Sequence, residues 1–231
     1  MRIKILVIGA ALAAMVGSGT ASGALQNQLN VDVLQKAQGK PAAVKVFAQN
    51  YDSAGIIPER ISQVILKSKS AKWNGKAVPK CTSPIPTREV GGSIVPSCSS
   101  KSLVGTGTAI VLAGNKGEPV PPRGSSYYVE AALKIYNYKV SPGDKVTLLL
   151  ESISDQPVPD AHVYTLAHIN SKGTITANIP SVNDIPLNLA QLYPNRNLHI
   201  IEFKSTLNSK RTKLFMLKKG NLNAELTVTR E

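Results

Sequence analysis

Between residues 136 and 181 apolar and polar positions alternate in short runs divided by turn residues, the pattern of successive half-buried strands. Ser141-Pro142-Gly143-Asp144 sets proline and glycine where a type II turn needs them. Proline fixes φ at the first central position, and glycine accepts a positive φ at the second. The runs 145–150 (KVTLLL), 161–169 (AHVYTLAHI) and 174–179 are rich in β-branched, aromatic and aliphatic residues, with Asn170-Ser171-Lys172-Gly173 between the last two. They predict three strands joined by loops.

Similar runs extend the series on both sides. Strands are predicted at 103–112, 127–140, 198–203, 213–217 and 222–228 besides the three above, eight in all with short connections. The fold class that follows is mainly β, a β-sandwich of the immunoglobulin-like or a related kind over residues 103–231. Residues 183–197 are the one long interruption, and a helical turn is expected there. Ahead of the sandwich the pattern changes: 25–39 mixes polar and apolar residues as a short helix would, and 43–50 (AVKVFAQN) alternates like a strand. Pro58 stands in the first turn of a predicted helix over 58–72 with Ile61, Val64 and Ile65 on one face. A small α/β segment at 25–74 is therefore expected, followed at 75–102 by a loop or linker dense in Pro, Ser, Gly and Thr.

Residues 1–24 have the parts of a secretory signal: Arg2 and Lys4, an apolar run over 5–16, and small residues at Ser22-Gly23-Ala24. The apolar run is too short to span a bilayer, which takes about 20 residues. No later segment reaches that length, so no transmembrane segment is expected in the mature chain, and a periplasmic or extracellular location is. Export makes a disulfide the expected state of the two cysteines, Cys81 and Cys98. Neither has a Cys or His partner at a short zinc-type spacing.

The Gly143-Asp144 turn opening an apolar strand, the strand HVYTLAHI, the polar turn ending at Gly173 and the strand closing on Pro180 resemble DUF4384, a small exported bacterial domain. The resemblance covers roughly residues 136–218. It implies a β-sandwich of the kind found in envelope and secretion-associated proteins, and it brings no catalytic residues with it.

The formal charge is +13, and a field of that sign favours anionic partners. Lys204, Lys210, Arg211, Lys213, Lys218, Lys219 and Arg230 cluster late in the chain, and the first six make a candidate binding patch. Phe203 and Phe215 fall at strand positions suited to the core rather than to stacking on bases, so nucleic acid is not the expected partner. The run 104–112 (VGTGTAIVL) is like the glycine-rich strand near the start of trypsin-like proteases, yet no Gly-Asp-Ser-Gly follows to supply a nucleophile. It is not a phosphate loop either, since no Gly-Lys-Ser/Thr closes it. His162 and His168 share a face of one strand, but six residues set them about 20 Å apart, too far for one metal. Asp155, Asp160, Asp184 and Glu202 lie in or beside different elements, and Trp73 reads as a packing residue.

Together these features lead to an expectation of an exported, non-enzymatic binding or assembly module of the bacterial envelope, with no cofactor. It would dock other envelope proteins or anionic envelope polymers through its basic β domain, a secretion or conjugation apparatus being one setting. The alternative is a secreted hydrolase, glycosidase- or protease-like, with a site assembled from dispersed residues.

Overall fold

The computed structural model describes residues 25–34, 43–52, 54–68, 71–85, 97–156, 161–185, 187–208, 212–217 and 224–231. The signal-like segment 1–24 and Lys210, Arg211, Lys218, Lys219 and Asp160 lie outside them. The described residues form twelve strands and one short α-helix. The strands are β1 Leu25–Leu34, β2 Ala43–Asp52, β3 Ile61–Ser68, β4 Ala71–Trp73, β5 Leu103–Gly114, β6 Tyr128–Tyr138, β7 Val146–Gln156, β8 Ala161–Ile169, β9 Ile175–Asn178, β10 Asn197–Asn208, β11 Phe215–Leu217 and β12 Ala224–Arg230. The helix, α1, is Leu187–Leu192.

The mainly β expectation holds. Ten strands belong to one continuous antiparallel sheet, in the order β1-β2-β10-β5-β6-β7-β8-β9-β3-β12, rather than to two facing sheets; β4 and β11 make a separate pair. The large sheet curls round on itself. β2 is second from one edge and β12 forms the other, yet Val46 and Ala48 of the first and Leu226 and Val228 of the second line a single interior cavity. Across the same seam Arg230 Nη2 donates to Asn50 Oδ1 at 3.1 Å.

Strict alternation explains the curl's inner wall. On β6, Ala131, Leu133 and Ile135 are buried while Glu130, Ala132 and Lys134 between them are exposed. The two ends of the interior are plugged differently. At one, Trp73 and Phe215 of the small sheet meet edge to face, with centroids 5.1 Å apart, over buried Leu214. At the other, Ile185, Leu189 and Tyr193 come every fourth residue along the α1 segment and face Ala113, Val129, Ala161 and Leu198.

Three expectations need correction. Residues 25–34 form a strand, not a helix, and pair along their whole length with β2. Residues 61–68 also form a strand. A bulge opposite Thr229 and Arg230 breaks the period of two, so Ile61 and Val64 both face inward three residues apart, and that spacing imitates a helix. Segment 25–74 is therefore no α/β unit among the described residues: β1, β2 and β3 are integral to the main sheet.

The Ser141–Asp144 turn forms as the sequence requires, with Asp144 N donating to Ser141 O at 3.1 Å and Gly143 at φ 82°. A side chain at Gly143 would meet nothing within 4 Å, so the whole cost of adding one lies in the backbone. Gly143→Val is expected to lower stability by about 1 kcal/mol or more, read as the denaturation midpoint in urea; an unmoved midpoint would contradict the assignment. The glycines of 104–108 have a different cause. A Cβ on Gly107 would come within 2.9 Å of Ser205 Cα and closer still to the Lys204 carbonyl, so β5 and β10 can pair this tightly only through glycine.

Candidate functional site: an apolar cavity inside the curled sheet

Inward-facing residues of nine strands and α1 line a cavity of about 250 Å³ that is partly open to solvent. Its wall is mostly Val, Ile and Leu, with five alanines among them: Ala48, Ala109, Ala131, Ala161 and Ala177 sit where larger side chains would close the space. Ala109 and Ala131 are direct register partners on β5 and β6, so two small residues face the lumen side by side. Toward the Trp73 end the lining is mainly apolar, with Val46, Leu66, Leu150 and Leu226, and Thr165 beside Leu150.

Polarity increases toward the α1 end. Ser152 and Ser154 of β7 and Asn50 of β2 line the cavity there, and Arg230 stands behind Asn50. Asn50 is 4% exposed. Arginine can only donate, so its bond fixes Oδ1 of the amide toward Arg230 and turns Nδ2 the other way. Nδ2 is buried with no hydrogen-bond partner among the described residues. Burial pulls the Arg230 guanidinium below its ordinary pKa while the charge of Glu59 opposes the shift. Arg60 pins this corner: its backbone exchanges hydrogen bonds with Glu231 at 3.1 and 2.9 Å, and its guanidinium pairs with the Glu231 carboxylate.

No family model, curated protein or solved structure matches this chain.

The histidines and most acidic groups lie on the outer face. Glu151, 3% exposed, accepts from Tyr136 Oη at 3.3 Å and faces His162 Nδ1 at 2.9 Å. Burial, reinforced by the Glu151 charge, pushes the Tyr136 hydroxyl up to about 12 and raises Tyr164 as well. His168 Nδ1 faces Asp144 Oδ2 at 2.7 Å, and Thr147 Oγ1 donates to the same oxygen at 2.7 Å, which ties the Pro-Gly turn to β7 and β8. His162 and His168 thus each have their own carboxylate. Among the described residues no group of three or more His, Cys, Asp or Glu is placed to hold a metal ion. Asp184 is used locally, accepting from Ser181 N and Oγ at 2.8 and 2.6 Å.

His199 is 1% exposed, with Nε2 3.1 Å from the Gly114 carbonyl. A carbonyl only accepts, so Nε2 carries the proton, and burial holds the imidazole pKa below its ordinary value. Because the folded value is the depressed one, the stability it contributes is complete above the unfolded value of about 6.5. That stability is lost progressively as pH falls below about 6.5 toward the folded pKa. The melting temperature is expected to drop across that interval, and His199→Gln to flatten the drop; equal slopes for the two proteins would contradict this.

Of the predicted basic patch, Lys204 and Lys213 are described, and both are exposed. Lys204 Nζ donates to Glu202 Oε1 at 2.6 Å and lies 5.5 Å from the centre of the Phe47 ring; Glu202 also faces Arg123 at 3.6 Å. Arg230 is not part of such a surface, since its side chain reaches Asn50 at the cavity rim. Cys81 and Cys98 are bonded, with Cα atoms 5.1 Å apart. Among the described residues no helix is long and apolar enough to cross a membrane. Sequence reasoning missed the cavity and Asn50. A signal for Asn50 was present: in AVKVFAQN it shares parity with Val44, Val46 and Ala48, a polar residue at a core-facing position.

Proposed function

We propose that this chain is an exported, non-enzymatic binding protein that carries an apolar guest inside its curled sheet. The cavity is the observation behind this reading. Protein interiors pack with few voids larger than a water molecule, whereas this one measures about 250 Å³. A space of that size leaves the inner faces of the sheet short of packing partners. A guest would recover those contacts. A cavity of about 150 Å³ takes up benzene, so this one has room for about ten carbon atoms.

Charge has a place in the same reading. The excess of Lys and Arg would hold the protein against anionic envelope components, where an apolar guest is collected or released. A hydrolase is less well supported, because Glu151 and Asp144 are each satisfied by neighbouring hydroxyl and imidazole groups on the outer face, away from the cavity. The test is titration of purified, solvent-extracted protein with 1-naphthylamine, a ten-carbon dye that is uncharged at neutral pH and whose fluorescence responds to apolar surroundings. Saturable binding of one dye per chain is expected. Fluorescence that rises without saturation, or not at all, would overturn the reading.

A further inference from the structure

We infer that the guest is uncharged and bears a carbonyl oxygen, which accepts from the side-chain amide of Asn50 while its hydrocarbon part fills the rest of the cavity. This deepens the proposed function and rests on it. The absence of charge follows from the lining. Its polar residues are Gln49, Asn50, Ser152, Ser154 and Thr165, and none of the described residues that line the cavity is charged. The ions of the corner behind Asn50 stand outside that lining and are turned to one another: Arg60 pairs with Glu231 and Lys116 with Glu59, whose charge also acts on Arg230. A carboxylate or ammonium drawn into the cavity would leave water without gaining a counter-charge, a far heavier penalty than desolvating a neutral oxygen.

The oxygen follows from Asn50. This residue is 4% exposed and shares the inner face of β2 with Val46 and Ala48. Its Oδ1 accepts from Arg230 Nη2 at 3.1 Å, which fixes the amide orientation and leaves Nδ2 as the donor end. Nδ2 is buried and has no hydrogen-bond partner among the described residues. A buried donor without an acceptor is costly and rare in native proteins. Here the wall that holds it also borders the space for a guest, and an acceptor oxygen on that guest would satisfy it. A ketone, aldehyde or ester carbonyl does so without bringing a hydrogen of its own, whereas a hydroxyl would import a donor that needs an acceptor in turn. An alkane would leave Nδ2 unpaired. Arg230 serves only to hold the amide, and its charge takes no part in the match.

The experiment uses three probes on one bicyclic skeleton, 1-tetralone, tetralin and tetralin-1-carboxylate, as competitors of the bound naphthylamine dye at pH 8, where the acid is ionised. Wild type is expected to bind the ketone at least about tenfold more tightly than the carboxylate, the equivalent of about 1.4 kcal/mol. Asn50→Leu is expected to weaken 1-tetralone at least about tenfold while tetralin stays within about threefold. The infrared spectrum of bound, isotope-labelled 1-tetralone gives a readout in wild type alone. Its carbonyl stretch is expected below the value in alkane solution, as a hydrogen-bonded carbonyl requires, and to return toward that value in Asn50→Leu. An alkane-like stretch in wild type, or a carboxylate bound as tightly as the ketone, would overturn the inference without any variant having to fold. So would a ratio of tetralone to tetralin affinity that Asn50→Leu leaves unchanged. Any of these results with the dye still bound leaves the apolar-guest reading intact, whereas loss of dye binding by wild type itself is the failure of that reading.

Discussion

Ala131→Phe is expected to weaken binding of an apolar guest at least tenfold without lowering the melting temperature. Ala131 lies on the inner face of β6 opposite Ala109, and its methyl group points into the cavity. In a packed core an insertion of this size costs about 1–3 kcal/mol through forced rotamers and backbone shifts. Here the added ring enters empty space, and its burial contributes favourably at about 25 cal/mol per Å². Ala132→Phe is the control, one residue along the same strand but exposed on the outer face, and it should leave binding unchanged. A lower melting temperature with undiminished binding in Ala131→Phe would show that the space is not where the guest goes.

Removing the disulfide is expected to have the larger effect on stability. Cys81 and Cys98 are seventeen residues apart, and closing a loop of that size stabilises by about 3 kcal/mol in the chain-entropy description. For a chain of this length that corresponds to a melting temperature lower by roughly 6–12 °C in Cys98→Ser or under reductant. The segment is also tied down by hydrogen bonds. Cys81 N donates to Asn137 O at 2.8 Å, Lys139 N to Cys81 O at 2.9 Å, and Tyr138 Oη to Ser83 O at 2.6 Å. These contacts lie over the outer face around Tyr136, Tyr138 and Leu149, so guest binding should survive the loss. A melting temperature indifferent to reductant would contradict the stabilising role of the bridge.

The strands from residue 103 onward were legible because their local signals agree: β-branched alternation, the Pro142-Gly143 turn and the polar turn ending at Gly173, and few competing helix formers. The predicted 161–169 strand matches β8 end to end, and the helical turn expected within 183–197 is α1. What failed upstream failed for local reasons. The β3 bulge counterfeits a helical period, and β1 gains its strand state from pairing with β2, a partner that a reading of 25–39 alone does not reveal. The sheet's closure was not legible at all, because β2 and β12 meet only in space. Hence Arg230 counted as one more surface cation, and the five cavity alanines as ordinary strand residues. Small side chains announce a cavity only once the opposing wall is known.

The claim that the curled sheet encloses a binding site is tested most directly by crystallising the protein with a bromoalkane such as 1-bromodecane and locating the bromine by its anomalous signal. One peak inside the wall, between the Trp73 plug and Leu189, is expected. Bromine found only on the outer face, or a lumen filled by the protein's own side chains, would contradict it.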